Sequence, residues 1–497
     1  MVNLLIVNIN EVTRDYMKYA VEELQTDYIC SIVACPEDQE TFGKYGDCYY
    51  EGNIVRGKYT DEELDYINGC PLEDDIFAYM EPYFLEIMNQ QRRYEQHNRF
   101  PTGNTWEMHY ETYMKNLYFF YNLLLSKQIT HVFFRVMPHQ GYDAIIYHLA
   151  KSLNIPVIMS LPSLIPKRDY VLTDYVKADE SVKKEYDRLL DIYKDSSIDE
   201  IELESPTKEQ FEKWASLDPE QMKPFFMYGN KMKKTFRARY GITNVMTAWR
   251  GILGREYEIY GRSFRFIGAS IGKIPQLLQQ IPITYRRWRY SRPAWKLTKE
   301  LTAFYESVAT VPQPDEKYIY FALHYQPEAT SNPMGKGAYC DQRIPLQILS
   351  KSIPDDIYIY VKAHPDQLAF FCGIPYYKDI LRMPHVRLMK MQCSTYDLMR
   401  NAVAVASLTG TACWESQFFG VPALLFGYSV KNSSPLAYPV RTVAECRHAL
   451  EDISGHKKTV TLKELKLYTK AAHNLSYPIE ERDTVFLQLI KQLIGQE

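Results

Sequence analysis

The chain opens on an almost unbroken apolar run, Val2 to Ile9, the pattern of a strand buried on both faces of a parallel sheet. Thr13–Gln25 follows with apolar residues at helical spacing (Tyr16, Met17, Tyr19, Ala20, Leu24), and Tyr28–Ala34 is apolar again. Strand, helix, strand predicts a doubly wound α/β domain. Residues 36–105 are acidic, polar and rich in Tyr and Asn, with no sustained period, so loops and short helices are expected there. His109–Lys127 reads as a helix, His131–Met137 as a strand, Gly141–Leu153 as a helix and Pro156–Ser160 as a strand, completing a Rossmann-like domain over residues 1–170. A second such pattern starts near Pro314. It predicts strands at Lys317–Leu323, Asp356–Val361, Val386–Lys390, Ala402–Leu408 and Val421–Phe426, a helical turn at Tyr396–Asn401 and a helix at Thr411–Phe419. That gives a second Rossmann-like domain over residues 314–440, with helices over 441–497. Residues 171–313 form a helical insert between the two.

The fold class is therefore α/β and GT-B-like: two Rossmann-like domains facing a cleft, with a helical insert between them. Glycosyltransferases share this plan with two-domain epimerases and binding proteins, so the plan alone does not set function. The length of 497 residues suits two to three domains. A hydrophobic content of 46% and a charged content of 24% exclude disorder and fibrous repeats.

Charge changes the picture more than composition does. The net charge of −3 argues against a chain that binds nucleic acid along its whole length. Yet residues 231–300 hold sixteen Lys and Arg against three Glu, a net +13, so the other residues sum to −16. Apolar and aromatic residues interleave these cations (Trp249, Phe264, Phe266, Trp288, Trp295). Such a segment suits an anionic membrane surface. An acidic glycan or a lipid-diphosphate acceptor would also fit, as would the protein's own acidic stretches at 36–82 and 171–222. Single-stranded nucleic acid ranks below these. The nine cysteines are irregularly spaced without a C-x-x-C, which reads as reduced thiols in a cytoplasmic protein and not as a zinc site. No secretory leader and no apolar stretch of about 18 residues is evident. The expectation is a cytoplasmic protein, peripheral at the inner face of the membrane.

Four strand ends carry the candidate chemistry. At Ser407-Leu-Thr409-Gly410-Thr411-Ala-Cys-Trp-Glu415 a buried strand empties into a hydroxyl-rich turn that starts a helix. Free N–H groups and the helix dipole there favour a phosphate, and Glu415 is placed to accept ribose hydroxyls. An ordinary helix cap accounts for the hydroxyls equally well. Val361-Lys362-Ala-His364-Pro365-Asp-Gln367 puts an imidazole at a strand's carboxyl end, where open α/β sheets bind ligands. Phe321-Ala-Leu-His324-Tyr-Gln326-Pro-Glu328-Ala-Thr330 gathers an imidazole, an amide, a carboxylate and a hydroxyl in one turn, and one carboxylate by a cleft can serve as nucleophile or base. In the first domain, Pro138-His139-Gln-Gly141-Tyr-Asp143 offers His139 and Asp143 to orient an acceptor hydroxyl, with Arg168 nearby to counter an anion. No Asp-x-Asp pair stands at a strand end, so no metal and no cofactor beyond the donor itself is expected.

The strings YFALHYQPEATSNPMG, VKAHPDQ and SLTGTACWES…FFGVPALLFG, with PHQGYDAIIYHLAKSLNIPVI in the first domain, resemble the capsular polysaccharide biosynthesis proteins, which include the Kdo transferases. The resemblance spans roughly residues 131–170 and 315–430. It implies a GT-B glycosyltransferase that moves a sugar from a nucleotide-activated donor, CMP-linked among the candidates, onto a growing capsular or surface polysaccharide or its lipid-linked precursor. It places His364, Pro365, Ser407, Thr409, Thr411 and Glu415 on the nucleotide, joined by Lys362, Gln326, Thr330 and Gly410 from the same loops. Glu328, with His324 beside it, falls nearest to the acid that flanks the reacting sugar carbon. That position departs from the family's Gln-x-x-Asp-x-Ser-like turn, carrying Glu for Asp with one residue fewer before it. Other enzymes on this plan are a sugar-nucleotide epimerase and a glycerol- or ribitol-phosphate polymerase. A non-catalytic polysaccharide-assembly protein is a further alternative.

Overall fold

The computed structural model describes residues 2–10, 13–68, 72–97, 105–222, 271, 273–275, 278, 296–326, 328, 330–335, 337–365, 367, 372–479 and 482–495. The basic segment 231–300, and with it the expected membrane face, lies almost wholly outside the described residues. The first half of the chain supplies β1 (Asn3–Ile9), β2 (Tyr28–Val33), β3 (Cys48–Tyr50), β4 (His131–Phe134), β5 (Val157–Pro162) and β6 (Arg168–Leu172). The second supplies β7 (Lys317–Ala322), β8 (Ile357–Lys362), β9 (Val386–Leu388), β10 (Ala404–Ser407), β11 (Ala423–Leu425) and β12 (Ala437–Pro439), followed by β13 (Ser476–Pro478).

These strands form two sheets, ordered β13-β6-β5-β4-β1-β2-β3 and β12-β11-β10-β7-β8-β9. The second sheet is parallel throughout. The first is parallel from β5 to β3 and ends in antiparallel pairs of β6 with β5 and with β13. In each sheet the order reverses beside its first strand: between β1 and β4, and between β7 and β10. Open parallel sheets bind ligands at such reversals, beyond the strands' carboxyl ends.

The apolar runs explain the layering. Every residue of β1 is buried. Alternation sends Leu5 and Val7 into one core and Leu4 and Ile6 into another on the opposite face. In β7, Tyr318 and Tyr320 likewise face away from Ile319 and Phe321. Each buried Leu, Ile or Phe contributes roughly 1.5–3 kcal/mol.

Three elements went beyond the sequence pattern. β3, β12 and β13 are three residues each, too short to show a period. The tail also returns to the first half: helix Arg482–Leu493 buries Leu487 and Ile490 against Leu4, Ile6, Met17 and Ala20. Within the stretch read as insert, residues 296–308 are helical and bury Leu301 and Tyr305 against the second sheet, where the Tyr305 hydroxyl donates to Met389 O at 2.8 Å. Helices Ala178–Ile192 and Thr207–Ala215 pack on the second half and the tail, with Tyr186 on Tyr468 and Trp214 on Trp414. Among the described residues no helix is long and apolar enough to cross a membrane.

The two halves also meet near their ligand-binding edges. Helix Phe84–His97 touches the turn after β4, where Gly141 N–H donates to Gln90 Oε1 at 3.2 Å. The same helix reaches the second half through Asn89 Nδ2 to Cys340 Sγ at 3.2 Å. It thus forms a wall that joins the carboxyl ends of the two sheets.

Candidate functional site

Three loops converge at the β7/β10 reversal. The first follows β7 and carries His324, Gln326, Glu328 and Thr330. The second, Ser407–Thr411, follows β10. The third follows β11 and includes the helical turn Val430–Ser433. Thr409 Oγ1 donates to Thr330 O at 2.9 Å, and Tyr428 N–H to Met334 O at 2.7 Å, tying the first loop to the other two. Gly427 permits this closeness, since a Cβ there would lie 2.6 Å from Thr409 Cγ2 and 2.8 Å from Met334 O.

His324 is fixed at three points. Thr409 N–H donates to its Nε2 at 3.0 Å, its own N–H donates to Gln342 Oε1 at 2.8 Å, and its carbonyl accepts from Gln342 Nε2 at 3.2 Å. Burial, with Lys431 and His364 adding to it, pushes its pKa down to about 3. The ring is therefore neutral at physiological pH and carries its proton on Nδ1, where it is a hydrogen-bond donor. A second amide clamp repeats the device: Gln326 N–H donates to Gln367 Oε1 at 2.9 Å and its carbonyl accepts from Gln367 Nε2 at 3.0 Å.

The chemistry-bearing groups of this corner are Glu415, Lys431 and the turn's amides. Glu415 is buried, and desolvation raises its pKa to about 8 despite Lys431. Lys431 is also buried, and desolvation lowers its pKa to about 8 against the pull of Cys413 and Glu415. The pair is coupled electrostatically without an ion pair within 4.0 Å, and neither side chain has a hydrogen-bond partner among the described residues. The backbone N–H groups of Gly410, Thr411 and Ala412 likewise have no acceptor among the described residues. Sequence reading missed Lys431 because it lies in a short helical turn outside every motif. Only the fold, through Asn432 Nδ2 to Gly427 O at 3.1 Å, brings that turn to the site.

The other expected residues divide by what they bond. Glu328 is half-buried and accepts from Thr330 Oγ1 at 3.0 Å. His364 is half-buried beside the Tyr325 ring at 5.5 Å, and Pro365 is exposed. Ser407 Oγ donates to Ala322 O at 2.9 Å, pinning β10 to β7. Gln326 Nε2 donates to Cys340 O. Lys362 Nζ donates to Cys393 O at 2.6 Å and Thr395 Oγ1 at 3.1 Å, and burial lowers its pKa. These last three are committed to bracing the loops.

In the first half, His139 and Asp143 stand together at the turn after β4. Asp143 is fully buried and accepts three N–H groups: His139 at 3.0 Å, Gln140 at 2.7 Å and Ala144 at 2.8 Å. Burial raises its pKa while His139 and the N–H groups pull it down. His139 Nδ1 lies 2.6 Å from Met137 O, so Nδ1 carries a proton and donates it to that carbonyl. Arg168 instead bonds Ser476 Oγ at 3.0 Å, His473 O at 3.0 Å and Ser476 O, stapling β13 to β6.

Sequence reading also missed two buried carboxyls in the aperiodic stretch 36–105. Glu51 accepts from Tyr142 Oη at 2.9 Å, and desolvation raises its pKa to about 7. Glu86 accepts from Gln90 Nε2 at 3.0 Å and Tyr175 Oη at 3.2 Å, and desolvation raises its pKa to about 8. A carboxyl raised on folding stabilises the fold fully below its unfolded pKa, and that stability is lost as pH rises through the folded value. For Glu86 the window runs from about pH 4.5 to about 8. Glu86→Gln keeps the accepting oxygen and removes the ionisation. It is expected to leave stability at pH 5 nearly unchanged and to raise it at pH 8.5 by on the order of 2 kcal/mol. Urea unfolding at the two pH values reads this, and equal effects at both would contradict it.

No family model matches the sequence, and no curated protein matches it. Among solved structures, the chain is similar to a UDP-GlcNAc 2-epimerase from Methanocaldococcus jannaschii at 12% identity, covering 96% of this chain and 99% of that one, with a TM-score of 0.25. The KpsC β-Kdo 2,7 transferase of Thermosulfurimonas dismutans aligns at 12% identity over 75% of this chain and 89% of its own, with a TM-score of 0.28. A glycosyltransferase from Rickettsia africae aligns at 10% identity over 100% of both chains, again with a TM-score of 0.28. At these scores the likenesses carry no argument about what this chain binds.

Proposed function

We propose that the protein is a GT-B glycosyltransferase that takes a sugar from a nucleotide-activated donor and adds it to a bacterial surface polysaccharide or its lipid-linked precursor. The observation that supports this reading is the convergence of Lys431, Glu415, the His324 ring and the amides of residues 410–412 at the β7/β10 reversal. A nucleotide fits that set chemically. The cation and the N–H groups match phosphate oxygens, and the carboxyl matches ribose hydroxyls.

In this reading Lys431 and the amides of the 410–412 turn stabilise the charge that grows on the phosphate as the sugar leaves. His324 orients the turn through Thr409 and presents Nδ1–H. Glu328, held by Thr330, stands at the reacting carbon, and His364 lines the same corner. The acceptor enters from the first half. The cation-rich segment 231–300 would hold the protein at an anionic membrane. Sedimentation with anionic vesicles in low salt and release by about 0.5 M salt is the expected result, and equal binding to neutral vesicles would contradict it.

The direct test is a thermal-shift screen at pH 7 against CMP, UDP, GDP and their sugars. A selective rise with one nucleotide is expected, and no rise with any would overturn the reading. Product analysis then separates the alternatives. Isomerised nucleotide-sugar without acceptor would place the protein with the epimerases, and phosphodiester product with the polymerases.

A further inference from the structure

We infer that the seam between the two halves is a proton-operated latch: Glu86, seated on helix Phe84–His97 against the turn Gly337–Cys340, keeps the seam shut while it holds a proton and releases it once ionised. This holds whatever the β7/β10 corner binds.

The geometry puts one carboxyl at the seam. Glu86 and Asn89 lie three residues apart on one face of the helix, and both meet the turn Gly337–Cys340. Asn89 Nδ2 donates to Cys340 Sγ at 3.2 Å. Gly337 has φ 58°, and a Cβ placed on it would stand 3.7 Å from Glu86 Cβ, so backbone of the second half packs on the stem of the carboxyl. Glu86 is 5% exposed. Its two donors, Tyr175 Oη and Gln90 Nε2, are both neutral, and no cation among the described residues acts on it.

The described groups packed around it offer no compensating charge. Tyr175, from the turn after β6, is held protonated by burial and by Glu86, Tyr147 and Asp174. From helix Tyr142–Ser152, His148 is buried, pushed down to about 3 and so neutral, and Lys151 pairs with Asp174 at 3.3 Å. Helix Trp106–Ser126 meets the seam helix at Gln91, which donates to His109 O at 3.4 Å. The second half brings the Cys340 thiol, pushed up to about 11 by burial and by Asp341, and Asp341 itself, tied to Arg343 at 2.6 Å.

Ionising Glu86 in place therefore leaves a desolvated carboxylate without a counter-ion. Opening the seam gives it water and gives up one thiol hydrogen bond and a glycine contact. The halves stay joined elsewhere, where the tail crosses back to the first sheet. So the seam yields before the fold does. Burial raises the Glu86 pKa to about 8, against 4.5 once water reaches it, and each pH unit in that window shifts the balance toward the open seam by up to about tenfold. Opening reaches both corners, because Gln90 Oε1 accepts from Gly141 N–H at 3.2 Å on one side and Cys340 O accepts from Gln326 Nε2 on the other.

Alkylation of Cys340 by iodoacetamide, read by peptide mass spectrometry on the full chain, tests the latch without a ligand. At any one pH, dividing the wild-type rate by that of Glu86→Gln cancels the reagent's own pH dependence. A ratio above one that grows about tenfold from pH 6.5 to 8.5 is expected. The sign discriminates, since an ionised Glu86 that stayed in place would raise the thiol pKa and slow the wild type. A ratio at or below one at pH 8.5, or one that does not change with pH, overturns the inference. Asn89→Ala removes the seam's other contact and should speed labelling at pH 6.5, and an unchanged rate overturns the inference too. Cys446, buried in the core of the second half, should stay unlabelled. Its labelling in step with Cys340 would mean global unfolding and overturn the latch. Thermal melting checks that the variants fold. Should Glu86→Gln not fold, deuterium exchange of the amides of residues 337–342 in the wild type decides, corrected for intrinsic pH dependence: protection that falls as pH rises supports the latch, and constant protection overturns it.

Discussion

Lys431→Met is expected to weaken nucleotide binding by about 10- to 100-fold, the loss of one charge-assisted hydrogen bond to phosphate. It is expected to do so without unfolding the protein. Lys431 is buried with its pKa lowered to about 8, so the fold already bears a desolvation penalty for its charge. Methionine matches its length and removes that penalty. Glu415, having lost the neighbour that lowers its pKa, simply stays protonated. Stability should therefore hold or rise while affinity falls, a split that a merely structural lysine would not give. The wild type should show the same dependence through pH: the lysine loses its proton above about pH 8, so affinity declines as pH rises through that value. Calorimetric titration from pH 6.5 to 9.5 reads both effects. Unchanged affinity in the variant would remove Lys431 from the phosphate.

Trp414→Ala is expected to destabilise the protein by about 3–5 kcal/mol. Trp414 is 1% exposed and stands where three parts of the chain meet. Trp214 packs on it edge-on at 5.6 Å from helix Thr207–Ala215, Tyr468 at 5.3 Å from the tail, and Phe418 at 5.3 Å from its own helix. No single neighbour can fill the space, because each belongs to a different element. The indole N–H has no partner among the described residues, so the substitution strands no buried acceptor there, and the loss is almost wholly packing. Against a typical total of about 5–15 kcal/mol, this is a large fraction. Denaturant unfolding measures it, and a loss under about 1 kcal/mol would mean that the segment 178–222 is not integral to the second half.

What could be read in advance followed from burial on both faces. β1, β7 and β10 are continuous apolar runs because helices cover both sides of their sheets, and their polar exits marked the loops of His324 and Thr409. β3 and β13 are three residues each, and their pairing is decided by partners far away in sequence: β13 joins β6 through Ser476 and Tyr170. The same long range hid part of the sites. Lys431 reaches the β7/β10 corner only because β11 lies beside β10. Glu51 and Glu86 sit in an acidic, aperiodic stretch that read only as loops and short helices, and Tyr142 and Tyr175 hold them inside. Arg168 looked like a counter-charge for an anion, and the return of the tail instead gave it two carbonyls and a hydroxyl.

The central claim is that a nucleotide binds at the β7/β10 reversal. A crystal structure with the nucleotide that gives the largest thermal shift tests it most directly. The account predicts phosphate density against Lys431 Nζ and the amides of residues 410–412, with the ribose on Glu415. Density elsewhere, or a ribose and phosphate in the reverse order, would contradict it.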